Sequence, residues 1–323
     1  MGHPYYKVAF VVATKDRPDD LRRMLKSLQN QTRRPDQVVL VDASAEPVDA
    51  LAQEYPALGV RYLRHPRPTA SGQRNAGIQA VDPDVDLIGF LDDDAVLAPE
   101  ALENMLRYWA ATPSELGGCA FNLANPPATA GRNLKQWRLV RRLGLYSDKQ
   151  GVVTPSGWHT ITGTVDQSVL VEWLPSGASL WRRDAFAQHR FDEFFDGYSY
   201  LEDLDFSYAV GRTYRLAIVA DALYWHYPAS GGRINAVRFG VVEVRNRLYF
   251  VRKHGLSTAR CLLGLLVRFF MTLGTAVRRW DRQAALRAWG NCKGMARFLF
   301  SATRFLGSAP APAQIGSRER GSP

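Results

Sequence analysis

Three carboxylates in a row, Asp92-Asp93-Asp94, close the apolar run Leu87-Ile88-Gly89-Phe90-Leu91. Adjacent carboxylates repel one another, and a bound cation offsets that repulsion; hard oxygen donors of this kind suit Mg²⁺ or Mn²⁺. A helix cap would need one Asp, so three exceed that need. A second acidic cluster, Glu202-Asp203-Leu204-Asp205, follows Gly197-Tyr198-Ser199-Tyr200. If Glu202 opens a helix, Asp205 shares its face one turn on, while Asp203 points toward the open end. The helix dipole alone favours acids there, but three acids in four residues, after two Tyr and a Gly, read as a site. His226 sits among aromatics in Leu223-Tyr224-Trp225-His226-Tyr227 and, taken alone, reads as a packed residue.

The elements that must position these groups follow from periodicity. Lys7 to Ala13, Gln37 to Val41, Val60 to Leu63 and Leu87 to Leu91 are short apolar runs, the pattern of buried parallel strands. Between them, Asp19 to Asn30 places Leu21, Met24, Leu25 and Leu28 at helical spacing, Val48 to Tyr55 is a short helix, and Ser71 to Ala80 is a loop feeding a helix. Ala101 to Ala111 (helix), Gly117 to Asn122, Val169 to Leu174 and Tyr214 to Ala220 (strands) continue the series. Strand–helix alternation predicts an α/β fold with a mostly parallel central sheet flanked by helices. In such sheets ligands bind beyond the carboxyl ends of the strands, where this chain deposits Thr14 and Asp16, then Asp42, then the three acids. Asp42 in isolation reads equally as a turn residue. There is no G-x-G-x-x-G and no P-loop, so a diphosphate would have to be held by metal, arginine and loop amides.

The strand into Thr14, the strand into Asp42-Ala43-Ser44, Arg74-Asn75-Ala76-Gly77 and Leu91-Asp92-Asp93-Asp94, in that order, resemble family 2 of the glycosyltransferases, of the bacterial, non-processive type with the Rossmann-like GT-A fold. The resemblance covers about residues 5 to 255. It implies an inverting enzyme that moves a sugar from a nucleotide-diphosphate donor (UDP, dTDP or GDP) to a hydroxyl of a glycan or lipid-linked acceptor in cell-surface polysaccharide synthesis, with Mn²⁺ or Mg²⁺. Carried over residue by residue, Thr14, Asp16, Asp42, Arg74, Asp92 and Asp93 hold the donor, Asp94 and His226 the metal, and Asp203 is the base that takes the acceptor's proton. Glu202, Trp173, Gly177, Trp181 and Tyr198 fall on the acceptor side. The Gln-x-x-Arg-Trp of processive synthases is missing; Arg279-Trp280 lacks its Gln. A sugar-1-phosphate nucleotidyltransferase would need a Gly-rich basic loop where this chain has Ala13-Thr14-Lys15-Asp16-Arg17, and an intact Asp203 argues against a non-catalytic nucleotide-sugar-binding module.

The 323-residue chain is 46% hydrophobic and 22% charged, with a net charge of +10. Residues 251 to 307 hold eleven Lys or Arg and one acid, Asp281. The three cysteines, Cys119, Cys261 and Cys292, have no ligand spacing, which fits a reducing compartment. The N-terminal residues run straight into a strand, so no leader is expected. The expected domains are 5–232, catalytic, with a nucleotide-sugar half to 110 and an acceptor half from 111; 233–307, basic amphipathic helices; and 308–323, a disordered tail. Cys261 to Val277 is short for a membrane span and carries Arg268 at its centre. Its polar stripe, Arg260, Gly264, Arg268, Thr272, Thr275 and Arg279, predicts a helix lying in an anionic membrane interface, on the cytoplasmic side. The alternative is packing on the catalytic domain or on a second copy as a homo-oligomer; aliphatic neighbours and a narrow stripe argue against nucleic acid.

Overall fold

The computed structural model describes residues 5–112, 115–127, 137–195, 199–228 and 235–300. The expected tail from 308 lies outside them. The chain divides into two compact units, Met1–Ile234 and Asn235–Pro323.

The first unit begins β1 (Val8–Thr14), α1 (Pro18–Gln29), β2 (Gln37–Asp42), α2 (Asp49–Gln53), β3 (Val60–Arg64), α3 (Ala70–Ala80) and β4 (Leu87–Asp92). Then come β5 (Ala95–Leu97), α4 (Ala101–Ala111), β6 (Leu116–Leu123), α5 (Arg138–Arg142), β7 (Val169–Val171), β8 (Ala178–Arg182), α6 (Ala185–Gln188), α7 (Glu202–Gly211) and β9 (Arg215–His226). The strands form one sheet in the order β3-β2-β1-β4-β8-β6-β9-β5, with β7 also on β9. The half built from β3, β2, β1 and β4 is parallel, as the alternation predicts. Beyond β4 the sheet is mixed: β8 runs antiparallel to β4 and β6, whereas β6 and β9 are parallel.

Both faces of the parallel half are covered, which is why its strands are apolar throughout. Phe10, Val12, Leu40 and Leu91 join Leu21, Met24, Leu25 and Leu28 of α1 and Trp109 of α4 in one core; Val11, Val39 and Phe90 join Trp181, Phe186, Phe191 and Phe206 in the other. Register then sets the site. Ala13 pairs with Asp92, Thr14 with Asp42, and Asp42 with Arg64, so the polar strand ends line up along one edge.

Two elements differ from expectation. The segment read as a loop feeding a helix is helical from Ala70. Its inward residues are polar, with Gln73 Nε2 donating to the carbonyls of Thr14 and Val41, so no apolar stripe advertises it. The last strand runs on to His226 rather than stopping at Ala220. It changes partners along its length, pairing with β6 and β7 first and antiparallel to β5 at its end, and a register shift at Phe121/Asn122 breaks the alternation.

The second unit is three helices, α8 (Ala236–Lys253), α9 (Thr258–Arg279) and α10 (Arg282–Phe300). Asn235 and Ser257 cap α8 and α9 by accepting from Arg238 N and Arg260 N, and the Asp281 carboxylate caps α10. Gly240 and Gly290 let α8 and α10 cross closely: a Cβ on Gly240 would meet Arg287 O at 2.4 Å, and one on Gly290 would meet Val237 O at 2.2 Å. At the centre Glu243 is buried and accepts from Arg287 at 2.8 Å, Asn291 at 3.0 Å and Arg268 at 3.3 Å. This cluster turns the middle of the polar stripe of α9 inward. Gly264 and Thr272 of its polar stripe are buried, Arg268 points at Glu243, and the apolar side is the exposed one.

Burial raises the Glu243 carboxyl, but Arg268, Arg287 and Asn291 outweigh it and bring it down to about 2. A folded value below the unfolded one, about 4.3, means that the stabilisation is complete above that pH and is lost as pH falls toward 2. We expect the helical signal of the wild type to melt earlier as pH falls through this window, while E243Q, with no carboxylate to titrate, shows a flatter profile. At neutral pH E243Q should already be less stable by about 3 kcal/mol in urea titrations, because two arginines lose their counter-charge.

Candidate active site

The site is built at the carboxyl edge of the parallel strands. β4 ends at Asp92, a tight turn carries Asp93 and Asp94, and β5 leaves at once. Ala95 of β5 pairs with His226 of β9, and Tyr227 N donates to Asp94 O at 3.0 Å. His226 Nε2 therefore lies 3.0 Å from Asp94 Oδ1. One ligand atom each from Asp92, Asp94 and His226 falls within 4.8 Å of the others. Two carboxylates and an imidazole at that spacing fit a divalent ion with mixed oxygen and nitrogen preference, such as Mn²⁺. Asp92, expected on the donor, thus belongs to the group that could hold the metal.

The three acids do not share one role. Asp93 is turned away and buried, accepting from Thr14 Oγ1 at 2.8 Å and from Arg17 at 3.1 Å. Burial raises its carboxyl to about 6, with Arg17 and the Thr14 hydroxyl pulling the other way. Asp93 and Thr14, both expected on the donor, are buried against each other and hold the turn. Arg17 also lies 3.8 Å from Asp94, although in the sequence it reads only as a turn residue.

The second acidic cluster meets the first through one side chain. Arg74, buried on α3, donates to Asp92 at 3.1 Å and to Glu202 at 3.0 Å. Its guanidinium stacks over Phe191 at 5.3 Å. Asn75, next to it, exchanges hydrogen bonds with the backbone of Phe191 at 2.8 and 3.1 Å. The Arg-Asn pair therefore anchors the chain that leads into α7. Ser199 and Leu201 just before α7 have φ of 37° and 77°. A leucine held in the left-handed region costs free energy that the surrounding packing must outweigh. Asp203 follows, half-buried, accepting from its neighbour Leu204 N at 2.7 Å. Burial raises the carboxyls of both Glu202 and Asp203, and Arg74 opposes the rise. Glu202, expected on the acceptor side, is instead the inner partner of Arg74.

Around the edge of β2, an open cleft of 570 Å³ is lined by Lys15, Asp16, Ser44, Ala45, Arg64 and His65. Asp16, at φ 53°, accepts from Ala45 N and donates its own N–H to Ser44 Oγ. Asp42 is 0% exposed. It accepts from Ser44 N, Val48 N, Tyr62 OH and Arg64. Burial raises the Asp42 carboxyl, and these donors bring it below the usual range. Asp42, expected on the donor, is thus held by four donors of the chain itself.

Of the residues expected on the acceptor side, Gly177 lies against Asp92: its carbonyl accepts from Asp92 N at 2.9 Å, and an added Cβ would sit 2.8 Å from Asp92 Oδ2. Trp181 is a correction. It is 0% exposed, with its indole N–H on Ser179 Oγ and Phe206 packed against it, so it is a core residue. Trp173 is also buried, donating to Thr160 O and meeting the His159 ring edge-on at 4.4 Å, so it braces the 150–163 loop. Tyr198 lies outside the described residues.

A parallel-to-mixed sheet with two acidic clusters joined across its carboxyl edge defines the class: a GT-A-type fold. Residues 9–163, just under half of the chain, match the model of Glycosyl transferase family 2. Over 132 residues it is 33% identical to the succinoglycan biosynthesis protein ExoW of Rhizobium meliloti (strain 1021), a match covering 36% of this chain and 38% of that protein. The chain thus aligns with well under half the length of that relative. Among solved structures, S. aureus TarS 1-349 in complex with UDP-GlcNAc superposes with a TM-score of 0.56 at 14% identity, over 88% of this chain and 78% of that one. Mannosyltransferase PcManGT from Pyrobaculum calidifontis, in complex with GDP-Man and Mn²⁺, gives 0.55 at 14% identity, over 90% and 88%. At such identities the likeness speaks for the fold.

Two outcomes follow from this geometry. G177A should push the Asp92 carboxylate aside and weaken Mn²⁺ binding about tenfold or more in calorimetry. The hydrogen bond to Asp94 raises the His226 pKa, so without metal the ring keeps its proton to higher pH than an ordinary histidine. Metal must displace that proton. Mn²⁺ should therefore bind more tightly at about pH 8 than at about pH 6, and calorimetry in buffers of different ionisation enthalpy should register proton release that H226Q loses.

Proposed function

We propose that this chain is an inverting, non-processive glycosyltransferase. It moves a sugar from a nucleotide-diphosphate donor (UDP, dTDP or GDP) to a hydroxyl of a glycan or lipid-linked acceptor. The observation that carries the reading is Arg74, held between Asp92 and Glu202 and so tying together acids 110 residues apart. The cleft beside Ser44 and Arg64 takes the nucleoside, with Asp16 at its rim. Asp92, Asp94 and His226 would hold Mn²⁺ or Mg²⁺, which supplies charge neutralisation for the leaving diphosphate. Asp203 accepts the proton of the acceptor hydroxyl as that oxygen attacks the anomeric carbon from the face opposite the diphosphate. Its raised affinity for a proton brings it closer to that of the oxygen it must deprotonate. Arg74 fixes the spacing between this base and the diphosphate end of the site, so positioning contributes alongside charge.

The first unit is the catalytic domain on this reading, and the second is an accessory helical domain. The role of ExoW in succinoglycan biosynthesis supports a polysaccharide pathway, and a lipid-linked acceptor would place the reaction at the cytoplasmic membrane face.

A transfer assay with purified chain, donor and Mn²⁺ tests the mechanism. D203N should keep Mn²⁺-dependent nucleotide binding yet lose transfer by about 10²–10⁴-fold, whereas D94A should lose the metal-dependent binding itself. Wild-type transfer should weaken as pH falls through a value above the ordinary aspartate range. Near wild-type turnover by D203N would remove Asp203 as the base.

A further inference from the structure

The outer face of α9 is apolar without interruption. Leu263, Leu266, Phe270, Leu273 and Val277 are all exposed, Phe270 by 56% and Val277 by 70%. They form one stripe of roughly 21 Å at 1.5 Å rise per residue. No charge interrupts it: Arg268, the only charged residue between Leu263 and Val277, points the other way, at Glu243. Exposed arginines stand at its two ends, Arg260 at one and Arg278 and Arg279 at the other. Trp280, which ends α9 at φ 52°, is 94% exposed. A tryptophan in a backbone position that favours glycine, with its ring in water, gains nothing from the fold itself. α10 adds exposed Trp289 and Leu299 beside Lys293 and Arg297.

We infer that the helical unit lies flat on an anionic phospholipid bilayer, with the outer face of α9 sunk into the acyl boundary and Trp280 and the arginines at the phosphate level. The inference names the surface for the membrane location proposed above and does not depend on sugar transfer. Apolar side chains flanked by tryptophan and arginine are the make-up of interfacial helices. Length and composition would also let α9 cross a membrane. Its inner face, however, is occupied by α8 and α10 around a buried Glu243–Arg268–Arg287 cluster, and both partner helices carry charges along their length. The three to four residue spacing of the stripe would suit a second copy as well. Charge decides between them. Between residues 251 and 307 the one acid, Asp281, is committed to the cap of α10, so two copies would bring arginine against arginine, whereas an anionic bilayer attracts them.

The test is co-sedimentation of the full chain with vesicles of phosphatidylcholine alone and of phosphatidylcholine mixed with phosphatidylglycerol. Wild type should pellet with the anionic vesicles, less so in high salt, and stay in solution with the neutral ones. F270E should lower the partition coefficient about tenfold or more. The double variant R278Q/R279Q should lower it roughly 30-fold on anionic vesicles, about fivefold per arginine. Because F270E alters an exposed position, an unchanged thermal melt certifies its fold, and the arginine pair tests the idea without touching the apolar face. Wild type left in the supernatant with anionic vesicles overturns the inference, as does wild-type binding by F270E. So does a dimer in light scattering that F270E separates, which would assign the face to a second copy. Mn²⁺-dependent UDP or GDP binding, measured without vesicles, reads the donor site separately, so either proposal can fail while the other stands.

Discussion

One guanidinium holds the site together. Asp92, Asp94, Glu202 and Asp203 come from strand ends and a helix start far apart in the chain, and at close range they repel. Arg74 lies buried among them, fixed from below by Phe191 and from the sides by Asp92 and Glu202. A buried arginine costs a great deal of hydration, and only good geometry with several acceptors offsets it. The two acids that bind it meet that condition, and they gain a counter-charge they would otherwise lack. A lysine there could not bridge both, because its ammonium is a point charge without the planar fork. The strained backbone at Ser199 and Leu201 is held in the same place: Asn75 pins Phe191, and the chain from there must reach α7 with Glu202 turned inward.

The sheet contributes register. Because Ala13, Asp92, Thr14, Asp42 and Arg64 are paired across neighbouring strands, a slip of one residue in β1 or β4 would turn their side chains to the opposite face. The full burial of both faces forbids that slip. β9 does for His226 what β4 does for Asp92: its last residues leave β6, pair with β5, and bring the imidazole to the turn that β5 itself begins. The candidate metal group is thus placed by the tight β4–β5 turn and by the antiparallel pairing of β5 with the end of β9, which fits the need for tight ligand geometry.

What the sequence disclosed divides along physical lines. The apolar strands and the amphipathic α1 and α4 were legible, because burial on a sheet leaves a period that survives in the letters. So were the acidic clusters, whose repulsion demands an explanation wherever they fold. The exceptions were residues whose partners are distant. Asp42 and Trp181 have the types that bind ligands, and nothing local reveals that one is saturated by four donors and the other enclosed by aromatics. α3 hid because its buried face is Gln73 and Arg74, polar groups satisfied by strand-end carbonyls and acids that a periodicity count cannot see. Arg17 hid for the same reason: in the sequence it is one more cation in a turn, and only the fold brings Asp93 to it.

The helical unit adds a further lesson about amphipathic patterns. A helical wheel separates two faces of α9 but does not say which is inside. Ordinarily the apolar face is, because removing apolar area from water is the main force that drives folding. Here one acid on α8 decides otherwise. Glu243 collects Arg268, Arg287 and Asn291, and the close crossing of α8 and α10 at Gly240 and Gly290 leaves room for little else at the centre. Once that cluster forms, the middle of the polar stripe of α9 is committed inward, and Leu263, Leu266, Phe270 and Leu273 are left on the outside. In water alone such an arrangement leaves a three-helix unit without much of the apolar burial that would stabilise it. It becomes consistent when the outer face meets an apolar phase, for then the same area is buried after all, against lipid rather than against protein.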